Sequence, residues 1–168
     1  YNSPSYISWN WKAGTSFTND ASSTGVGTID SSGSTSSDAG FSIISYTGTG
    51  STGTIAHNLG AAPAWLLFKQ RSEARDWMVY QHKNPESLPQ TDYLLLNSNA
   101  AAVDSDSFMN DTAPTSSVFT VDTFNEVNKR LSAQKGIVVD FESVSDANHF
   151  LSKSERDLLL SLIHISET

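Results

Sequence analysis

The chain has no cysteine, so it has neither a disulfide framework nor a thiolate metal site, and its stability must come from packing alone. Basic residues are scarce. None occurs between Lys12 and Lys69, and the formal charge is −8. No basic patch is available to neutralise phosphates, so nucleic acid is not an expected partner. No apolar run reaches the roughly 20 residues that span a bilayer, and the start "YNSPSYISWNW" has no basic stretch followed by an apolar one. A soluble protein without membrane insertion is expected. The first residue is Tyr1 rather than methionine, which suggests a fragment of something longer. The 168 residues suffice for one ordinary domain and its appendages.

What is present falls into zones. "YISWNW" alternates Ile7, Trp9 and Trp11 with Ser8 and Asn10, the period of a strand with one buried face. Between Ala13 and Gly53, 27 of 41 residues are Ser, Thr or Gly. With so little apolar side chain to offset ordering entropy, residues 13–39 read as a flexible linker or extended surface loop.

From residue 40 to 128 short strands follow one another: 41–47, 54–57, 64–70, 77–82, 92–97 and 118–121. Gly, Pro, Asn and Asp separate them and no helical period intervenes. The pattern predicts an all-β fold, an antiparallel β-sandwich or jelly-roll-like module. "FSIISYT" and "TIAH" about the glycine-rich "GTGSTG" read as a hairpin, and "AWLLFKQ" as a strand buried on both faces. The expected core is Phe41, Ile43, Ile44, Ile55, Leu66, Phe68, Val79, Leu94, Leu96, Phe119 and Val121. After residue 128 the character changes: five basic residues stand against six acidic ones, whereas residues 1–128 hold five against twelve. "GIVVDF" (136–141) reads as one strand. Ser152 and Glu155 form a capping-box pattern ahead of Leu158, Leu159, Leu162 and Ile163, which predicts a C-terminal helix.

Candidate sites are few. Tryptophan faces suit the C–H face of a sugar. Trp9, Trp11 and Trp65 lie within strand patterns and read as core, whereas Trp77, at a strand start beside Glu73, Arg75 and Asp76, is the candidate for an exposed glycan platform. "DSDSFMND" gathers Asp104, Asp106, Asn110 and Asp111, oxygen donors of the kind Ca²⁺ takes, although the glycine and glutamate of an EF-hand loop are missing. A solvated polar loop is the plainer reading, and no other cofactor is expected. His57, His82, His149 and His164 are too scattered for a zinc site, and His57 is expected to end a strand and bond within "HNLG". No nucleophile elbow or phosphate loop occurs. A glycosidase needs two carboxylates across a cleft; Glu73, Asp76 and Glu86 are the candidates, and a non-enzymatic role is the stronger reading.

The runs "YISWNWKAGTSFTND", "AGFSIISYTGTGSTGTIAHNLGAAPAWLLFKQRS", "WMVYQHK", "YLLLNSNAA" and "NDTAPTSSVFTV" resemble, in order over residues 3–128, an uncharacterised β-rich domain of virion structural proteins of tailed bacteriophages, marine phages especially. The resemblance implies that residues 1–12 end an upstream lectin-like, concanavalin-like jelly roll, that 13–39 link it to the next domain, and that 40–128 form that domain. It further implies a tail-fibre or adhesin-like virion component, whose partners are other virion proteins or further copies of itself, a trimer for instance, and a host surface glycan. It supplies no catalytic or binding residues. After "DTFNEVN" the sequence departs from that pattern, and a closing strand is missing. Residues 160–167, "LSLIHISE", resemble the translated mosaic-end adapter of sequencing libraries, so 129–168 read as a divergent, chimeric tail.

Overall fold

A computed structural model describes residues 14–84, 88–130 and 133–139, the last as backbone together with Gly136. The strand "YISWNW", Trp9 and Trp11, Glu86, His149, His164 and the C-terminal helix lie outside the described residues.

The chain runs β1 (Thr15–Asn19), α1 (Ala21–Thr24), β2 (Ser31–Ser36), β3 (Phe41–Thr47), β4 (Gly53–Ala56), β5 (Trp65–Gln70), β6 (Met78–Gln81) and β7 (Asp92–Leu95). It continues through β8 (Val103–Asp104), α2 (Asp106–Met109), β9 (Val118–Val121), α3 (Asn125–Asn128) and β10 (Ala133–Val139). Among the described residues, eight strands form one sheet in the order β1-β2-β3-β10-β5-β6-β7-β8, and β4 pairs with β9 in a second, two-stranded ribbon. Every strand pairing is antiparallel. The fold is therefore all-β and sandwich-like, with the ribbon, α2 and α3 packed over one face of the large sheet.

Strand alternation decides which side chains meet. One row crosses the core face through Phe17, Gly33, Ile44, Gly136, Phe68, Met78 and Leu95, each opposite the next. Phe119 of the ribbon lies over the middle of this row, its ring centroid 5.6 Å from Phe68 and 6.5 Å from Tyr46, both edge-on. Phe108 of α2 meets Phe68 at 5.5 Å and Tyr93 at 5.5 Å. These rings, with Ile44, Ile55, Leu66, Met109, Val121 and Val127, make one core. Edge-on pairs at such spacing add to the stabilisation of burial itself.

Several expectations are corrected. Residues 13–39 are not a linker from Thr15 onward: Ser/Thr-rich β1 and β2 pair with each other and with β3, because backbone pairing along the sheet makes good what their side chains lack. Between them, α1 is set by the Asp20 side chain, which accepts from Ser23 N–H at 3.1 Å, and is stopped by Gly25 at φ 70°. β3 and β4 do not form a hairpin; the glycine-rich turn carries the chain from one sheet to the other, where β4 finds β9. β5 is buried on one face only, with Leu67 half-buried on the other. Leu96 is 52% exposed and Ile43 and Leu94 are half-buried, because they project from the face away from Phe119. The boundary at residue 128 falls inside the fold, since β10 lies within the sheet between β3 and β5.

Candidate functional site

The loop from Arg71 to Trp77 joins β5 to β6 and carries four of the candidate residues together. Glu73 accepts from the Arg75 guanidinium at 3.1 Å and from Lys129 Nζ. Arg75 also reaches Glu126 of α3 at 3.3 Å. Lys69, on β5, donates to the Arg75 carbonyl and stands 5.8 Å from the centre of the Trp77 ring. Asp76 accepts from the Asn97 Nδ2 amide at 2.8 Å, and Asn97 Oδ1 accepts the Trp77 N–H at 3.0 Å. Glu73, Arg75 and Asp76 are thus engaged with α3, with Lys129 and with the end of β7. Trp77 is half-buried under a lysine rather than a bare platform.

The electrostatics follow from these contacts. The hydrogen bonds from Lys129 and then Arg75 hold the Glu73 carboxyl below its ordinary range. A glycosidic acid must be protonated when it acts, and Glu73 is placed for the opposite. The Tyr93 phenol is pushed up, chiefly by burial and then by Glu126 and Asp76 nearby. What the loop can do chemically is brace: three ion pairs and a bidentate amide tie β5, β6, β7 and α3 into one unit. Exposed pairs of this kind contribute little each, but a network fixes geometry.

The acidic triplet is not assembled. Asp104 lies on β8, Asp106 in the first turn of α2, and Asp111 beyond its end at φ 46°. Among the described residues no group of three or more acidic or histidine side chains is close enough to hold a metal ion. Asn110, at φ 51°, ends α2 with its N–H on the Asp106 carbonyl at 2.7 Å. Asn and Asp tolerate this left-handed backbone, which accounts for their presence here without a cation.

His57 lies at the end of β4 and is buried. Its Nδ1 accepts from Leu59 N–H at 3.2 Å, and its Nε2 lies 3.0 Å from the Thr115 carbonyl, which can only accept, so Nε2 carries the proton. The ring stacks on Phe119 at 6.5 Å. The expected turn role holds.

Residue-by-residue reading of the sequence missed the partners. Lys69, Asn97, Glu126 and Lys129 complete the bracing network, and Asn128 is buried, yet none lies in a motif. Their spacing from the loop is set by the fold and leaves no local signal. No helix among the described residues is long and apolar enough to cross a membrane.

Fold and site together define a β-sandwich module whose charged loop braces the framework. Residues 1–148 match a domain of unknown function, DUF7483, and the chain belongs to that family. The match runs through β10 and past the boundary at residue 128. No curated protein and no solved structure matches the chain.

Proposed function

We propose that the chain is a non-enzymatic structural module of a tailed-phage virion protein, of the tail-fibre or adhesin-like kind. The observation that carries this reading is the use of the loop between β5 and β6: the Glu73 and Asp76 carboxylates and the Arg75 guanidinium are engaged in bracing, and Lys129 and Arg75 hold the Glu73 carboxyl below its ordinary range. A glycosidase that used Glu73 as its general acid would keep that carboxyl protonated. The residue runs over 3–128 that resemble phage virion domains support the location. Its partners in this reading are other virion proteins or further copies of itself, and β1, outermost of the described strands at one side of the sheet, is where a neighbouring chain would add. The parent contig tests the reading. Neighbouring genes for capsid and tail components are expected, with the reading frame continuing past Asn128; a setting among cellular metabolic genes would overturn it.

A further inference from the structure

The face of the large sheet turned away from Phe119 is paved with hydroxyls where β1, β2 and β3 meet. Thr18, Ser32 and Ser45 stand opposite one another in one row, and Ser16, Ser34 and Ile43 in another. Phe17, Ile44 and Tyr46 alternate with them and belong to the core side. Over this face lies a hollow of about 370 Å³, bounded at the strand ends by Asp20, Asp30 and Arg71. A second hollow of about 450 Å³ shares Ser32 and Ser45 with it, and the two make one trough along the strands. Both hollows are shallow and open to solvent, the form of a surface groove along which a chain ligand lies rather than of a pocket that encloses one.

The end of the trough is polar and fixed. Asp20 Oδ1 accepts from Ser22 Oγ at 2.6 Å and from Ser23 N–H at 3.1 Å, which lowers its pKa and keeps it a carboxylate. Asp30 Oδ1 accepts the Ala21 N–H at 2.9 Å, and its Oδ2 has no partner among the described residues. Arg71 is exposed and makes no ion pair among them. Two anchored acceptors, one free guanidinium and a floor of groups that both donate and accept match a polyhydroxylated ligand. An anionic ligand would meet two carboxylates against one cation on a chain of formal charge −8.

We propose that this trough binds a neutral oligosaccharide. Adjacent sugar hydroxyls donate to Asp20 and Asp30, Arg71 donates to sugar oxygens, and the Ser/Thr floor exchanges hydrogen bonds with the rest, while Ile43 offers apolar area further along. The inference goes beyond the structural role and holds whether or not the chain belongs to a virion.

The test is binding of the purified chain to an array of neutral and uronic oligosaccharides, followed by titration of the best neutral one. Asp30→Asn keeps the Oδ1 acceptor for Ala21, and Arg71→Gln changes an exposed residue, so both leave the framework intact; near-ultraviolet circular dichroism checks this, and Arg71→Gln decides alone if Asp30→Asn fails to fold. A neutral oligosaccharide is expected to bind, each variant weakening it about tenfold or more, with Trp77→Ala without effect. Absence of neutral binders at millimolar concentration, preference for uronic sugars, affinity unchanged in the variants, or loss of binding in Trp77→Ala would each overturn the proposal.

Discussion

Asn128 receives the backbone N–H of Thr49 on its side-chain oxygen at 2.8 Å and returns its amide to the carbonyl of Ser51 at 2.7 Å. With Gly50 N–H on its own carbonyl at 2.9 Å, one buried residue fastens the glycine-rich turn that carries the chain from β3 to β4. Asn128→Ala should lower stability by about 1–3 kcal/mol, because a donor and an acceptor lose their partners together. Urea unfolding with tryptophan fluorescence measures it. Asn128→Asp keeps the acceptor for Thr49 and loses the donor to Ser51, so it should also destabilise the fold.

Stability should fall at alkaline pH. The Tyr46 hydroxyl donates to the Val127 carbonyl at 2.5 Å, and burial holds this phenol far above its ordinary pKa; burial also raises Tyr80 to about 12. Both ionise near 10 when unfolded, so the unfolded state releases protons first, and their contribution is complete below pH 10 and lost as pH rises beyond it. Tyr46→Phe should cost about 1 kcal/mol at neutral pH and flatten the alkaline loss, read as melting temperature between pH 8 and 12.

The bracing loop makes the complementary prediction at low pH. Glu73 and Asp20 both have lowered pKa values, so they stabilise the fold above the unfolded carboxylate range and lose that contribution as pH falls through it. Glu73→Gln should remove part of the acid sensitivity, with a small change at neutral pH that salt erases. A large loss at neutral pH insensitive to salt would contradict the bracing role.

Two glycines in the core row should respond differently to alanine. A Cβ at Gly33 would lie 2.1 Å from the Ile43 carbonyl oxygen, a backbone atom that cannot move aside. At Gly136 the nearest contact would be the Phe119 ring at 3.7 Å, ordinary packing distance. Gly33→Ala should therefore destabilise by more than about 2 kcal/mol and Gly136→Ala by less than about 1 kcal/mol, measured by thermal unfolding.

Strand positions were legible where apolar alternation is dense: 41–47 and 118–121 coincide with β3 and β9. β1 and β2 were not, because their order comes from backbone pairing rather than from apolar side chains, and Ser and Thr look the same in a loop and on a sheet. Pairing partners were equally hidden. The hairpin expectation for β3 and β4 failed because Asn128, 79 residues from Thr49, holds the turn open. The candidate loop was legible as a cluster of charge beside Trp77, but its meaning was not: only Lys129 and Glu126, brought in by α3 and the residue after it, show that the charges are spent on bracing. The trough at Asp20, Asp30 and Arg71 joins residues from separate strand ends and leaves no mark along the chain.

The proposed virion role is tested most directly by immunogold electron microscopy of phage particles purified from cells that express the parent protein, with antibodies raised against residues 14–139. The proposed role predicts gold confined to the phage tail. Antibodies that recognise the parent protein in infected cells but leave purified particles unlabelled would contradict it.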